Sequence, residues 1–415
     1  MRGRRVVVTG MGAVSPFGEG VPAMYDGVSQ NRCALSPLPE YKLEGLSCRV
    51  AGLVPPLQEK RIPRELRRSM SPMSIFACLA AWEALTSAGL STRPEPRMGV
   101  AVGSTVGSPT MLHEFFEMFL REHSVESMRS TVFFKVMSHT VAANVALACG
   151  CAGRTLAPAA ACASGLMSLC LGFEAIAAGR EEMMLCGGAD EFHLLTSATF
   201  DRLGAASHVE DPDCASRPFD MDRTGIVCGE GAGILLLESL ENAQARNAPI
   251  LAEIRGAAMS SSPGSIAQPD SAAIADCMRR TLEDADAQPQ DVAYVNAHAT
   301  ATEFGDIAEG QAIEAVFGSS MPVSSFKGHL GHTMAASGAL ESILCIEMLQ
   351  TSTFFPTRGL QKPDVRCGNL NHMNKQMYKP SGLVLKNSFA LGGCNCTIIF
   401  DRLHENSMNV EKNER

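Results

Sequence analysis

Strand-like apolar runs alternate with segments of helical periodicity along this chain, and the alternation begins afresh near residue 248. In the first stretch, Val6–Gly12, Met98–Gly103, Met183–Cys186 and Gly231–Glu238 read as buried strands. A helix follows Cys162, on which Leu166, Leu169, Cys170, Phe173 and Ile176 recur on one face. After a helical linker over Leu240–Asn247, Leu251–Gly256 is a strand, Ser271–Ala285 a helix and Val292–His298 a strand that runs into a polar turn. A Gly- and Ala-rich helix opens near His332, and Cys396–Phe400 is the last strand. Such runs need both faces of the sheet covered, so the pattern predicts an α/β protein of two units, residues 1–248 and 249–403, each with a central helix of small and apolar residues. A pseudo-twofold relating the units would bring the openings of the two central helices together and set Cys162 opposite His332. Residues 404–415 read as a polar tail.

Composition narrows the function. Of the 415 residues, 46% are hydrophobic and 19% charged, which suits a globular enzyme with an extensive core. No apolar run approaches the roughly 18 residues of a membrane span, and Val6–Thr9 meets Gly10 too soon for a secretory core. A cytosolic location is the expectation. The formal charge of −9 argues against general nucleic-acid binding. Fifteen cysteines, odd in number and scattered through apolar segments, point to reduced thiols rather than a disulfide framework. Gly10-Met11-Gly12 lacks the third glycine of a dinucleotide fingerprint.

Three places carry candidate chemistry. Ala160-Ala161-Cys162-Ala163-Ser164-Gly165 sets a cysteine at the mouth of a helix among small residues. The helix dipole and unpaired N–H groups there predict a lowered pKa and a thiolate at neutral pH; a buried structural thiol is the alternative. His298 ends an apolar strand in Asn296–Thr302, where a base is often held. His332 closes Lys327-Gly328-His329-Leu330-Gly331-His332. The spacing of His329 and His332 could suit zinc, but no third ligand is evident and no metal is expected.

Together with Val8–Gly12, Arg217-Pro218-Phe219-Asp220, Gly229–Gly233 and Asn387-Ser388-Phe389, these segments resemble the elongating β-ketoacyl-acyl carrier protein synthases of the thiolase-like superfamily, over nearly the whole chain. The resemblance implies a five-layered α-β-α-β-α core of two pseudo-symmetric halves. It implies decarboxylative condensation in fatty acid or polyketide elongation, with acyl and malonyl groups delivered on acyl carrier protein. Cys162 is then the acyl-accepting nucleophile, His298 and His332 the catalytic imidazoles, and Lys327 their electrostatic partner with Glu341 its companion. Asp306 and Glu309 are supporting residues. The N–H groups of Cys162 and Leu391 would form an oxyanion hole, and Thr300 and Thr302 would hold the pantetheine arm. Val106, Ile226, Phe389 and Leu391 would line the acyl pocket.

Several positions depart from many fatty-acid elongating relatives. Ala299 and Ala390 stand where those have glycine, and Ile226 and Leu391 where they carry phenylalanine gates. Ala299 predicts a less free loop, and the smaller gates predict a differently shaped acyl tunnel. The segments Gly103–Pro109, His139-Thr140 and Gly305–Glu309 are similar to ketosynthases of the aryl-polyene type, which implies an unsaturated or polyene-like acyl chain. Arg64, Arg67 and Arg68, within the cluster that includes Lys60 and Arg61, resemble a docking surface for acidic carrier protein; a solvated helix face is the alternative. The family also implies a homodimer, or a heterodimer with a ketosynthase-like partner, with contacts near Thr105–Lys135. No cofactor is expected beyond a structural monovalent cation near Glu341 and Asn387, as in relatives. The alternatives are a thiolase acting on coenzyme A thioesters, whose chemistry needs a second cysteine as base, and a chain-length partner subunit of a heterodimeric ketosynthase, which commonly lacks the nucleophile that Cys162 supplies here.

Overall fold

The computed structural model describes residues 3–38, 45–93, 97–124, 126, 128, 130–379 and 382–403; the tail expected over 404–415 lies outside them. One sheet of twelve strands, eleven in a single path and one paired to its side, runs through the described residues, and its principal members fall into two sets. The first holds β1 (Val6–Ser15), β2 (Gly99–Gly103), β3 (Thr155–Leu156), β4 (Met183–Asp190) and β5 (Gly231–Ser239). The second holds β6 (Ala252–Ser261), β7 (Val292–Asn296), β8 (Pro322–Ser324), β9 (Leu383–Phe389) and β10 (Cys394–Asp401). Across the sheet the first set runs β3-β2-β4-β5-β1 and the second β8-β7-β9-β10-β6. These are the same order, with parallel and antiparallel pairs in the same places. Val6–Val8 of β1 pairs antiparallel with Ala252–Ile254 of β6 and joins the two sets.

Helices α1 (Pro72–Ser87) and α2 (Thr140–Cys149) cover the outer face of the first set, and α3 (Ser164–Ala177) its inner face. Helices α4 (Ser271–Ala285) and α5 (Glu303–Phe317) cover the second set outside, and α6 (Ala335–Thr351) lies inside against α3. The layers are therefore α-β-α-β-α. Three apolar clusters fill the spaces between them, and the central one takes Leu166 and Leu169 from α3, Leu340 and Leu344 from α6, Val384 from β9 and Ile398 from β10. A helix walled in on every side should be apolar all round, and α6 is buried over nearly its whole surface with Glu341 its only buried charge.

The central helices meet at their openings with no room for side chains. A Cβ on Gly165 would lie 2.2 Å from the carbonyl oxygen of Ala335, and one on Gly188 would lie 2.3 Å from it. Two expectations need correcting here. Leu383–Phe389 is a central strand that apolar periodicity did not reveal, because Lys386, Asn387 and Ser388 interrupt it; those polar groups are buried and bonded. His332 precedes α6 rather than opening it, in a link where Gly331 (φ 73°) and Met334 (φ 50°) take left-handed backbone.

Candidate active site

Cys162 occupies a single 3-10 turn, Ala161–Ala163, that leads directly into α3. Ala161 sits at φ 47°, a left-handed conformation that costs an alanine about 1 kcal/mol or more. The Ser164 hydroxyl holds the turn: it accepts from the Ala160 N–H at 2.8 Å and donates to the Ala161 carbonyl at 2.7 Å. The cysteine side chain is buried with Phe200, Ile226, Cys228 and Met334. Burial pushes its thiol up to about 12; the Asp190 carboxylate adds to the rise, and Lys327 opposes it. This runs against the thiolate expected at neutral pH: desolvation, with Asp190 beside it, favours the neutral thiol. In the free protein Cys162 is a thiol that must give up its proton as it reacts.

His298 lies two residues beyond the end of the apolar strand β7, in a loop fixed by Glu309. One Glu309 oxygen accepts the His298 N–H at 2.8 Å, the other the Ala299 N–H at 2.7 Å. Asn387 also donates to Glu309, at 3.2 Å. The left-handed residue of this loop is Ala301 (φ 65°), not Ala299, so the alanine after the histidine imposes no strain. The backbone of His332 is pinned on both sides. Its N–H donates to Val227 at 2.7 Å, and its carbonyl accepts from Gly229 at 2.8 Å.

The two imidazoles pack edge to face, with ring centroids 5.2 Å apart and planes at 83°. Both are buried, yet His298 Nδ1 and both ring nitrogens of His332 lack a hydrogen-bond partner. Burial first, then the charges of Lys327 and Lys386, hold both imidazoles well below the usual histidine range; His298 is lowered further by His332. They are neutral. Phe389 links them to the Cys162 turn: its ring centroid is 6.3 Å from that of His298, and the Oγ of its neighbour Ser388 donates to the Cys162 carbonyl at 3.3 Å.

Beneath this pair, the Lys327 ammonium lies 2.7 Å from one oxygen of Glu341, and that of Lys386 lies 2.6 Å from the other. All three residues are buried. Lys386 was missed from the sequence, although a lysine among Leu383, Val384 and Leu385 is itself a signal. Asp190, at the end of β4, was also missed. It accepts from Thr105 and from the Ala335 N–H at 2.8 Å, tying the first set of strands to the start of α6. Burial raises it to about 7.

The remaining sequence candidates fall around this centre. The Thr300 and Thr302 hydroxyls are 3.2 Å apart. Asp306, raised by burial to about 7, accepts the Phe219 N–H at 2.7 Å and lies 3.7 Å from Arg223. Ile226 is in the Cys162 cluster, whereas Leu391 is 44% exposed in the turn between β9 and β10. Val106 is 57% exposed and lies outside that cluster. His329 Nε2 is 3.1 Å from Asn31 Oδ1, and burial pushes its ring down to about 3. Among the described residues, no three His, Cys, Asp or Glu side chains group as metal ligands. Arg64 and Arg68 are exposed, while Arg67 is half-buried and donates to the Ile62 carbonyl at 2.9 Å.

Comparison with known proteins agrees with this geometry. The β-ketoacyl synthase N-terminal domain family matches residues 3–243, and the C-terminal domain family matches residues 251–361. The chain is 34% identical to nodulation protein E of Rhizobium sp. (strain N33), over 96% of this chain and 99% of that protein. It is 30% identical to 3-oxoacyl-[acyl-carrier-protein] synthase 1 of Escherichia coli (strain K12), over 97% of this chain and all of that one. Among solved structures, a β-ketoacyl synthase from Burkholderia phymatum STM815 superposes with a TM-score of 0.93 at 38% identity. The ishigamide ketosynthase/chain length factor superposes at 0.90 and 31%. Each covers 97% of this chain and is itself covered in full. With a buried thiol, two neutral imidazoles and matches spanning nearly its whole length, this chain belongs to the β-ketoacyl synthase family.

Proposed function

We propose that the protein is an acyltransferase that elongates carrier-bound acyl chains by decarboxylative condensation, in fatty acid or polyketide synthesis. One observation carries the reading: two buried, neutral imidazoles with unpartnered nitrogens stand beside the end of β9, whose Ser388 is bonded to the Cys162 turn. Unpartnered buried nitrogens are costly unless a substrate supplies the bond. In the first half-reaction, Cys162 Sγ attacks the thioester carbon of an acyl carrier and its proton passes to a neutral imidazole. The carrier sulfur then leaves with that proton, and the acyl group stays on Cys162. The N–H groups of Cys162 and Leu391 serve the tetrahedral oxyanion.

In the second half-reaction a malonyl carrier enters, with Thr300 and Thr302 on its pantetheine arm. The bond to the carboxylate breaks, CO2 departs, and its electron pair forms an enolate whose oxygen accepts N–H bonds from His298 and His332. The enolate carbon attacks the acyl carbon on Cys162, the carbon–sulfur bond breaks, and the released sulfur takes up a proton. Burial, reinforced by the charge of Lys327 held on Glu341, keeps both imidazoles neutral and therefore able to donate.

A polyene-like acyl substrate is the narrower proposal, supported by Ile226 packing beside Cys162 in a position where many relatives have phenylalanine. Intact-mass measurement of Cys162 after incubation with a panel of acyl carriers tests both levels. Conjugated acyl groups should load faster than long saturated ones; the reverse order removes the polyene proposal, and no loading by any carrier removes the function. In the same assay, Arg64→Glu, Arg67→Glu and Arg68→Glu together should raise the carrier KM by about tenfold or more while small thioesters load normally. Equal loss on both refutes docking at this face.

A second chain is proposed on the face where Phe116, Phe119, Leu120, Phe133 and Phe134 stand exposed. They lie on the helices Pro109–Glu122 and Ser130–Val136. Exposed apolar side chains grouped on neighbouring helices are the kind of surface a second chain covers. Two chains per particle by ultracentrifugation support this, and a monomer at micromolar concentration refutes it. Among the described residues, no single helix is long and apolar enough to cross a membrane. All fifteen cysteines are free, which supports a cytosolic location.

A further inference from the structure

Two buried ammoniums share one buried carboxylate, and the condensation chemistry accounts for only one of them. Lys327 binds one oxygen of Glu341; Lys386 binds the other and also donates to the carbonyl of Asn387. A metal ion near Glu341 and Asn387 would need those same oxygens. A monovalent ion binds by gathering several oxygen ligands, and all three of the oxygens named here already face a cation that belongs to the chain. The residues do not fit the structural monovalent cation that the family resemblance implies.

We infer that Lys386 is a tethered counter-cation that takes the place of a bound metal ion, and a positioning residue for the imidazole pair. Its ammonium fixes the free edge of Glu341, so that Glu341 presents its other oxygen to Lys327. Its charge reaches both histidines and Glu309. Being covalently attached, the cation is present at every salt concentration, and no occupancy depends on sodium or potassium. This inference rests on the proposed condensation for its kinetic readouts, whereas its thermal readout stands apart from any activity.

The experiment compares the full-length protein and its Lys386 variants in choline chloride and in KCl or NaCl at equal ionic strength. Wild-type Tm should be the same in all three salts and its turnover should agree within about twofold, since no ion binds the folded state selectively. Lys386→Ser opens the place of the ammonium and leaves the oxygens facing it. That variant should lose about tenfold or more in turnover in choline and regain both Tm and turnover in KCl or NaCl. Lys386→Met fills the space without a charge. It should show no ion rescue, and the acid limb of its pH–rate profile should lie above the wild-type limb, because one of the cations opposing protonation is gone. The charged and titratable groups facing the pair are Lys327 and Lys386 for both rings, with His332 also facing His298.

A wild-type Tm or rate that climbs several-fold or by several degrees on adding potassium or sodium overturns the inference, as does a Lys386→Met acid limb identical to that of wild type. If Lys386→Ser fails to fold, the wild-type salt comparison and Lys386→Met still decide. Inactivity of the wild type with every carrier would instead count against the condensation reading and leave the Tm comparison intact.

Discussion

Cys162→Ala will form no acyl-enzyme, and its condensation rate will fall by about 10^4-fold or more, because the covalent half-reaction has no other acceptor. Intact mass after incubation with an acyl carrier reads the first effect directly. A mass increase equal to the acyl group on the variant would show that another side chain accepts it. Cys162→Ser should be nearly as inert, since a hydroxyl ionises still less readily than the thiol it replaces; undiminished product formation by this variant would end the assignment. The wild-type thiol has its own signature. With burial and Asp190 pushing it up to about 12, the reactive thiolate fraction should grow about tenfold per pH unit across the neutral and mildly alkaline range. Iodoacetamide inactivation should therefore accelerate steadily with pH. A plateau near neutrality would mean that the helix end overcomes desolvation after all.

His298→Ala and His332→Ala should each cut turnover by about 10^2–10^3-fold, about 2.7–4 kcal/mol of barrier, the range for losing one donor to a developing oxyanion. The loss should fall on malonyl decarboxylation, while single-turnover acylation of Cys162 is less affected. Release of CO2 from malonyl carrier separates the two steps, and unchanged CO2 release by either variant would remove that histidine from the enolate site. The two losses should not add, because both donors serve one oxygen. The pH profile gives a further check. Both imidazoles are held well below the ordinary histidine value of 6.5, so they stay neutral as the medium is acidified and decarboxylation should persist below pH 6.5. An acid limb at or above that value would indicate imidazoles that titrate normally.

How much of this was readable in the residues depended on which signal carried it. Apolar runs announced β1, β2, β4, β5, β6, β7 and β10, and the repeat of strands and helices gave the layered fold. Cys162, His298, His332 and Lys327 stood out because they end elements, where chemistry-bearing side chains are positioned by rigid structure. β9 was silent: it is buried on both sides, and a strand recognised by hydrophobicity disappears when Lys386, Asn387 and Ser388 interrupt its apolar run. Asp190 and Lys386 were hidden for a related reason. Their roles depend on contacts with residues far along the chain, at Ala335 and Glu341, which periodicity along one segment does not encode. The same limit explains the error at Cys162. A helix mouth is visible in sequence, but the degree to which Phe200, Ile226 and Met334 exclude water from it is a tertiary property.

The bare crossing of α3 and α6 separates two kinds of change that this molecule can tolerate. Gly165 and Gly188 bring main chain against main chain at Ala335, so the spacing of sulfur and imidazoles is inherited from peptide groups that mutation cannot resize. Ile226, Phe389 and Leu391 belong to loops and strand ends around that junction. On the proposed function, descendants of this scaffold can exchange these side chains as walls of the acyl chamber, and with them the chain they accept, while the reaction itself stays anchored in backbone.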